Sequence, residues 1–129
     1  MPQATGTFDV KLEPQHPSDQ AQAAKLGRMT IDKQFAGDLA ATSAGEMLAA
    51  MTGVEGSAGY VALERVTGTL HGHRGSFILQ HSGLMARGVQ QLEITVVPDS
   101  GTEELVGLAG KMAIIVENGE HRYEFTYTL

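Results

Sequence analysis

A chain of 129 residues with 42% hydrophobic and 19% charged residues has the size and composition of one globular domain, which excludes a disordered tail protein. The net charge of −6, with nine scattered lysines and arginines, argues against nucleic acid and anionic membrane surfaces as partners. The absence of cysteine removes disulfides, thiolate catalysis and cysteine-held metals, and no signal peptide or membrane-length apolar run is visible, so the expected address is the cytoplasm.

Thr7 to Glu13 alternates apolar and polar residues without a break, as a strand with one wet face does, and Pro14 and Pro17 end it. Ser18 to Leu26 is rich in Ala and Gln, with Ser18 or Asp19 as an N-cap and Gly27 as a stop; it suits a helical turn or two, or a long loop. Met29 to Phe35 reads as a strand, turning at Gly37-Asp38. Leu39 to Met51 is ambiguous, because Ala and Met allow a helix that Thr42, Ser43 and Gly45 weaken.

Gly53 to Gly59 is a turn region, Tyr60 to Leu70 a strand, His71 to Gly75 a hairpin tip, and Ser76 to Met85 the returning strand. Leu92 to Val96 alternates cleanly and stops at Pro98, and Ser100-Gly101-Thr102-Glu103 fits a capping box for one helical turn through Leu105. Asn118-Gly119 is the preferred pair for a two-residue hairpin. Pairing Glu117 with Glu120 places Met112, Ile114, Val116, His121, Tyr123 and Phe125 on one face, and a one-residue slip would scramble both faces. The whole chain, 1–129, thus reads as one all-β domain, either an up-and-down antiparallel barrel of about eight strands or a β-sandwich.

The blocks Thr30–Leu39, Thr42–Leu48, Gly59–Gly68, Phe77–Gly83 and Val97–Thr102, in this order and spacing, resemble a bacterial domain family of unknown function with an allene-oxide-cyclase-like β-barrel. The resemblance spans almost the whole chain. It implies a strand at Leu39 to Met51 and a barrel rather than a sandwich. It supplies no reaction, and no catalytic residue of allene oxide cyclases maps onto this sequence.

Inside a small barrel an ionisable side chain is expensive unless paired, so inward-pointing charges mark either a structural pair or a site. Parity on the strand from Tyr60 puts Glu64 with Tyr60, Ala62 and Val66, although the opposite face carries Val61 and Leu63. Phe77, Leu79, His81 and Met85 share the better core face of the next strand, and Lys33 lies between Ile31 and Phe35. The direction of Glu46 is undecided. Catalytic candidates are therefore Glu64 as general base or electrostatic stabiliser, with His81 or Tyr60 as proton donor. Lys33, Glu46, Phe77 and Met85 are candidates to line a ligand site. His71 and His73 flank Gly72 at a turn, but two imidazoles do not make a metal site, and no cofactor motif is present.

These residues support a barrel that binds a small apolar molecule, with a cofactor-free isomerase or cyclase as its catalytic form. The competing reading is a non-catalytic barrel with a filled core that works through assembly or partner binding, with outer apolar residues such as Val97 and Ile115 in a homo-oligomer contact.

Overall fold

The computed structural model describes residues 1–129 as eight antiparallel strands. They are β1 (Gln3–Gln15), β2 (Gly27–Gly37), β3 (Leu39–Met51), β4 (Ala58–Leu70), β5 (His73–Ala86), β6 (Val89–Val96), β7 (Ala109–Glu117) and β8 (Glu120–Thr128). Each strand pairs with the next, and β8 pairs back onto β1, so the sheet closes into an up-and-down barrel and the sandwich alternative falls. Leu39 to Met51 is a strand throughout, as the resemblance implied. Leu39, Ala41, Ser43 and Met47 face the interior while Ala40, Thr42 and Ala44 stay outside.

Between β1 and β2 lies a five-residue helix α1 (Asp19–Ala23), capped by the Ser18 hydroxyl, which accepts a hydrogen bond from the Ala21 N–H at 3.2 Å. The expected capping box at Ser100 is absent. A 3-10 turn does occupy Glu103–Leu105, but the Ser100 and Thr102 hydroxyls accept from the Ile78 and Ser76 N–H groups, fastening the loop to β5 instead. The last hairpin has the expected register: Glu117 faces Glu120, Val116 faces His121, Ile114 faces Tyr123 and Met112 faces Phe125.

The two ends of the barrel differ. One is closed by Leu39, Leu70, Phe77, Val96, Leu105, Leu108, Phe125 and Tyr127, all buried. Phe125 stacks between Phe77 and Tyr127, with ring centroids 5.8 and 5.4 Å away. Tyr123 locks the corner between β2 and β3, donating to the Ala36 carbonyl and accepting from the Leu39 N–H, both at 2.9 Å.

The opposite end is open. Inward-facing Leu12, Leu92 and Val116 remain 46%, 43% and 61% exposed there, and Met29, Met47, Tyr60, Ile114 and His121 are half-buried. The cause lies partly in the wall. Strands β6 and β7 pair only at Ile94–Met112 and Thr95–Lys111, whereas β6 follows β5 through Ala86–Val89 and β7 follows β8 through Glu117–Glu120. Beyond those two pairs the barrel is slit toward its mouth. No helix of the chain is long and apolar enough to cross a membrane.

Candidate functional site

At the boundary between the packed half and the open half lies a cluster of buried polar side chains: Lys33 of β2, Ser43 of β3, Glu64 of β4 and His81 of β5. Register explains their meeting. Lys33 faces Ser43 across the first strand pair, Gly45 faces Glu64 across the next, and His81 faces Ala62, one inward position along from Glu64. A Cβ on Gly45 would come within 2.7 Å of the Glu64 Cα, so glycine is what lets the β4 backbone carry the carboxylate this close to β3.

Glu64 is the hub. Its Oε1 accepts from the Ser43 hydroxyl at 2.7 Å, and its Oε2 accepts from Lys33 Nζ at 2.8 Å and from His81 Nε2 at 2.5 Å. Burial alone would raise the Glu64 carboxyl above its ordinary 4.5. The His81 hydrogen bond, the Lys33 charge and hydrogen bond, and the Ser43 hydroxyl together outweigh burial and hold it down at about 2. The carboxylate is therefore ionised, and neither oxygen is free. The Lys33 ammonium rests near the Phe8 and Phe35 rings, 5.0 and 5.7 Å from their centroids, which suits a cation with an apolar ceiling.

The two nitrogens of His81 face different halves of the molecule. Nε2 points down to Glu64, and Nδ1 points toward the mouth, where the Tyr60 hydroxyl lies 3.3 Å away. Lys33 already balances the Glu64 charge, so a proton on both nitrogens would leave an unpaired charge in the interior. The neutral ring with hydrogen on Nε2 satisfies every contact, and Nδ1 then accepts from Tyr60. Burial and, secondarily, the Glu64 charge raise the Tyr60 pKa, so the phenol keeps its proton. Tyr60 in turn is placed by Gly83, its cross-strand neighbour: a Cβ there would lie 2.3 Å from the Tyr60 Cε1, so the ring spans the space a side chain would fill.

The structure thus joins four of the residues singled out from sequence, Tyr60, His81, Glu64 and Lys33, and adds Ser43. It separates the other three. Phe77 lies in the packed half against Phe125, Met85 stands at the rim of the mouth, and Glu46 points outward into an ion pair with Arg28. His121, which faces into the mouth with its ring 5.2 Å from Phe8, was legible only as a face-mate of Tyr123 and Phe125.

His71 binds the Tyr127 hydroxyl through Nδ1 at 2.5 Å and His73 lies 3.9 Å from Glu104, so the two histidines of the turn have different partners. No three His, Asp or Glu side chains stand together as metal ligands. Two grooves mark the outer wall. One, of about 660 Å³, is polar, with Asp9, Lys11, Asp32 and Arg65. The other, of about 970 Å³, lies between the α1 segment and the outward side chains Leu48, Val61 and Leu63. Val97 and Ile115 are half-buried, and the exposed outward apolar residues are Leu48, Val61, Leu63, Leu84 and Val89 on β3 to β6.

A crystal structure of a DUF3224-family protein of unknown function from Shewanella oneidensis MR-1 is similar to this chain, with 54% sequence identity and a TM-score of 0.94, over 100% of this chain and 97% of that one. Comparison with curated proteins gives no match. Residues 4–127 match the family described as proteins of unknown function, DUF3224, and the chain belongs to that family.

Proposed function

We propose that the open half of the barrel binds a small apolar molecule and that Tyr60 and His81, backed by Glu64, act on it by proton transfer without a cofactor, as an isomerase or cyclase does. One observation carries this reading. A buried carboxylate, an imidazole and a phenol form a chain whose last member is half-buried at the open end of the barrel, where Leu12, Met29, Met47 and Leu92 also face inward. Apolar walls with a few convergent polar groups are the usual make-up of a small-molecule site.

Glu64 has a supporting role here. With both oxygens engaged and its carboxyl held near 2, it orients His81 and stabilises an imidazolium, and His81 and Tyr60 are the groups that reach a ligand. The test is binding of 1-aminoanthracene, a neutral fluorescent probe. Its emission is expected to shift to the blue with the native protein, and Met47→Lys is expected to weaken binding at least about tenfold, roughly the loss for placing a charge in an apolar contact. Leu63→Lys, on the outer wall, should bind as the native protein does. Failure to bind, or equal loss in both variants, overturns the reading.

A second reading, assembly through the outer wall, is favoured by the exposure of Leu48, Val61, Leu63 and Leu84 on adjacent strands. Its occupant would be a second copy of the chain. Solution mass distinguishes it: a dimer that Leu63→Lys converts to monomer supports assembly, and a native monomer rejects it.

A further inference from the structure

We infer that the molecule taken by the open half is a neutral carbonyl compound carrying a C–H bond next to the carbonyl, held with its oxygen on the Tyr60 hydroxyl and that hydrogen at His81 Nδ1. This rests on the binding reading above and adds the class of ligand and the atom that acts as base.

Charge excludes anions first. The inward residues of the open half include no lysine or arginine, and the one interior cation, Lys33, is buried and committed to Glu64. A carboxylate or phosphate head would enter an apolar mouth with nothing to balance it. His121 packs its ring on Phe8 and Gln90 at the rim reaches Met85; the polar groups that remain are one donor and one acceptor side by side, the Tyr60 hydroxyl and His81 Nδ1. Their mutual bond is long, 3.3 Å, near the outer limit for O–H···N, so a better acceptor can take the Tyr60 hydrogen at little cost.

A carbonyl oxygen is such an acceptor. Once it holds the Tyr60 hydrogen, the Nδ1 lone pair is unpaired and faces the mouth. A carbonyl oxygen and the hydrogen on its neighbouring carbon are close enough to meet a donor and an acceptor standing this near each other. The step then balances. Nδ1 takes the proton as the C–H bond breaks, the electron pair becomes the new C=C bond, and the carbonyl π pair moves onto oxygen against the Tyr60 O–H. The imidazolium so formed keeps its Nε2 hydrogen bond to the ionised Glu64 carboxylate, and since Lys33 already neutralises Glu64, its charge is balanced by the enolate oxygen held at the Tyr60 O–H. Returning the proton to the same carbon exchanges it with solvent; returning it elsewhere moves a double bond. No oxidant, reductant or metal enters.

The experiment uses 2-tetralone, a neutral bicyclic ketone, with the intact protein in deuterated buffer, following loss of the α-hydrogen signals by NMR. Displacement of 1-aminoanthracene is measured in parallel. Exchange at least tenfold faster than in buffer is expected, with most of that gain lost in Tyr60→Phe and in His81→Gln. Tyr60 is half-buried and the phenyl ring keeps its contact with Gly83, so Tyr60→Phe stays decisive even if His81→Gln unfolds. Exchange at the buffer rate, or unchanged in Tyr60→Phe, overturns the inference. If 2-tetralone displaces the probe without exchange, the binding reading survives and the proposed base does not. If the native protein binds neither compound, both fall. Displacement by 2-naphthoate at lower concentration than by 2-tetralone overturns the claim of a neutral ligand.

Discussion

The two halves of this barrel are built from the same strands and solve different problems. In the closed half the buried inward side chains are apolar or aromatic, and its two tyrosines have their hydroxyls satisfied, Tyr123 by backbone groups and Tyr127 by His71. In the open half the inward positions are also largely apolar, yet Leu12, Leu92 and Val116 stay exposed around a floor of Lys33, Ser43, Glu64 and His81. A core that needed only stability would continue the first pattern to the end. Here the hydrophobic side chains of the mouth bury little, and the polar floor is satisfied internally, with no buried side-chain polar atom lacking a partner.

This contrast is open to direct attack. Phe125→Ala removes a fully buried ring stacked on two others, and by the behaviour of large-to-small core changes it should cost about 3–5 kcal/mol. Met47→Ala, in the mouth, should cost below about 1 kcal/mol, as partly exposed positions usually do. Urea unfolding of the two variants measures both. Equal losses would mean that the mouth is a core like the other and that its exposure has no use.

The floor should behave as a linked unit. Lys33→Met leaves the Glu64 carboxylate buried with its main counter-charge gone, which should cost about 3–5 kcal/mol. The double variant Lys33→Met/Glu64→Leu removes both charges and should recover much of that loss. A single variant as stable as the native protein would show that the pair contributes no compensation.

Acid provides the next smaller effect. Glu64 is held at about 2 against an ordinary 4.5, so its contribution to stability is complete above pH 4.5 and disappears as pH falls toward 2. That shift corresponds to about 3 kcal/mol at most. Denaturation midpoints taken across this window should fall with acid in the native protein, and the fall should be shallower in Glu64→Gln. Parallel curves for the two would detach Glu64 from the pH dependence.

Much of this architecture was legible from local sequence, and the rest depended on distant partners. The β7–β8 register follows from Asn118-Gly119 and clean alternation, because a two-residue turn leaves only one pairing that keeps both faces sorted. Glu64 was harder. Its strand is apolar on both faces, and Val61 and Leu63 turn out to be exposed on the outer wall, where hydrophobicity misleads parity. Glu46 gave no direction because Ala and Gly neighbours carry almost no amphipathic signal; its outward course follows from pairing with Leu63. Phe77 had the right parity, but parity does not say which end of a barrel a residue occupies. The slit between β6 and β7 left no trace in the sequence at all, since it is a missing contact between two strands that each look regular.

The finest separation of the two roles, holding the barrel together and holding a reactive pair in place, comes at Gly83. Alanine there puts a Cβ 2.3 Å from the Tyr60 Cε1, a separation that cannot stand. The Tyr60 ring is at the open end, so it can swing aside into the mouth, and the cost to stability should be below about 1 kcal/mol. The 3.3 Å contact from its hydroxyl to His81 Nδ1 cannot survive that swing, because the ring is what fixes the hydroxyl over the imidazole. Glycine at this position therefore acts as a positioning residue. Gly83→Ala should unfold at nearly the native urea concentration while losing most of the ketone exchange, with 1-aminoanthracene still bound. Gly83→Ala with native exchange would show that the Tyr60 hydroxyl need not stand beside His81 Nδ1 for the exchange. A large loss of stability would instead make the Tyr60–Gly83 contact part of the core, and would erase the distinction between the halves.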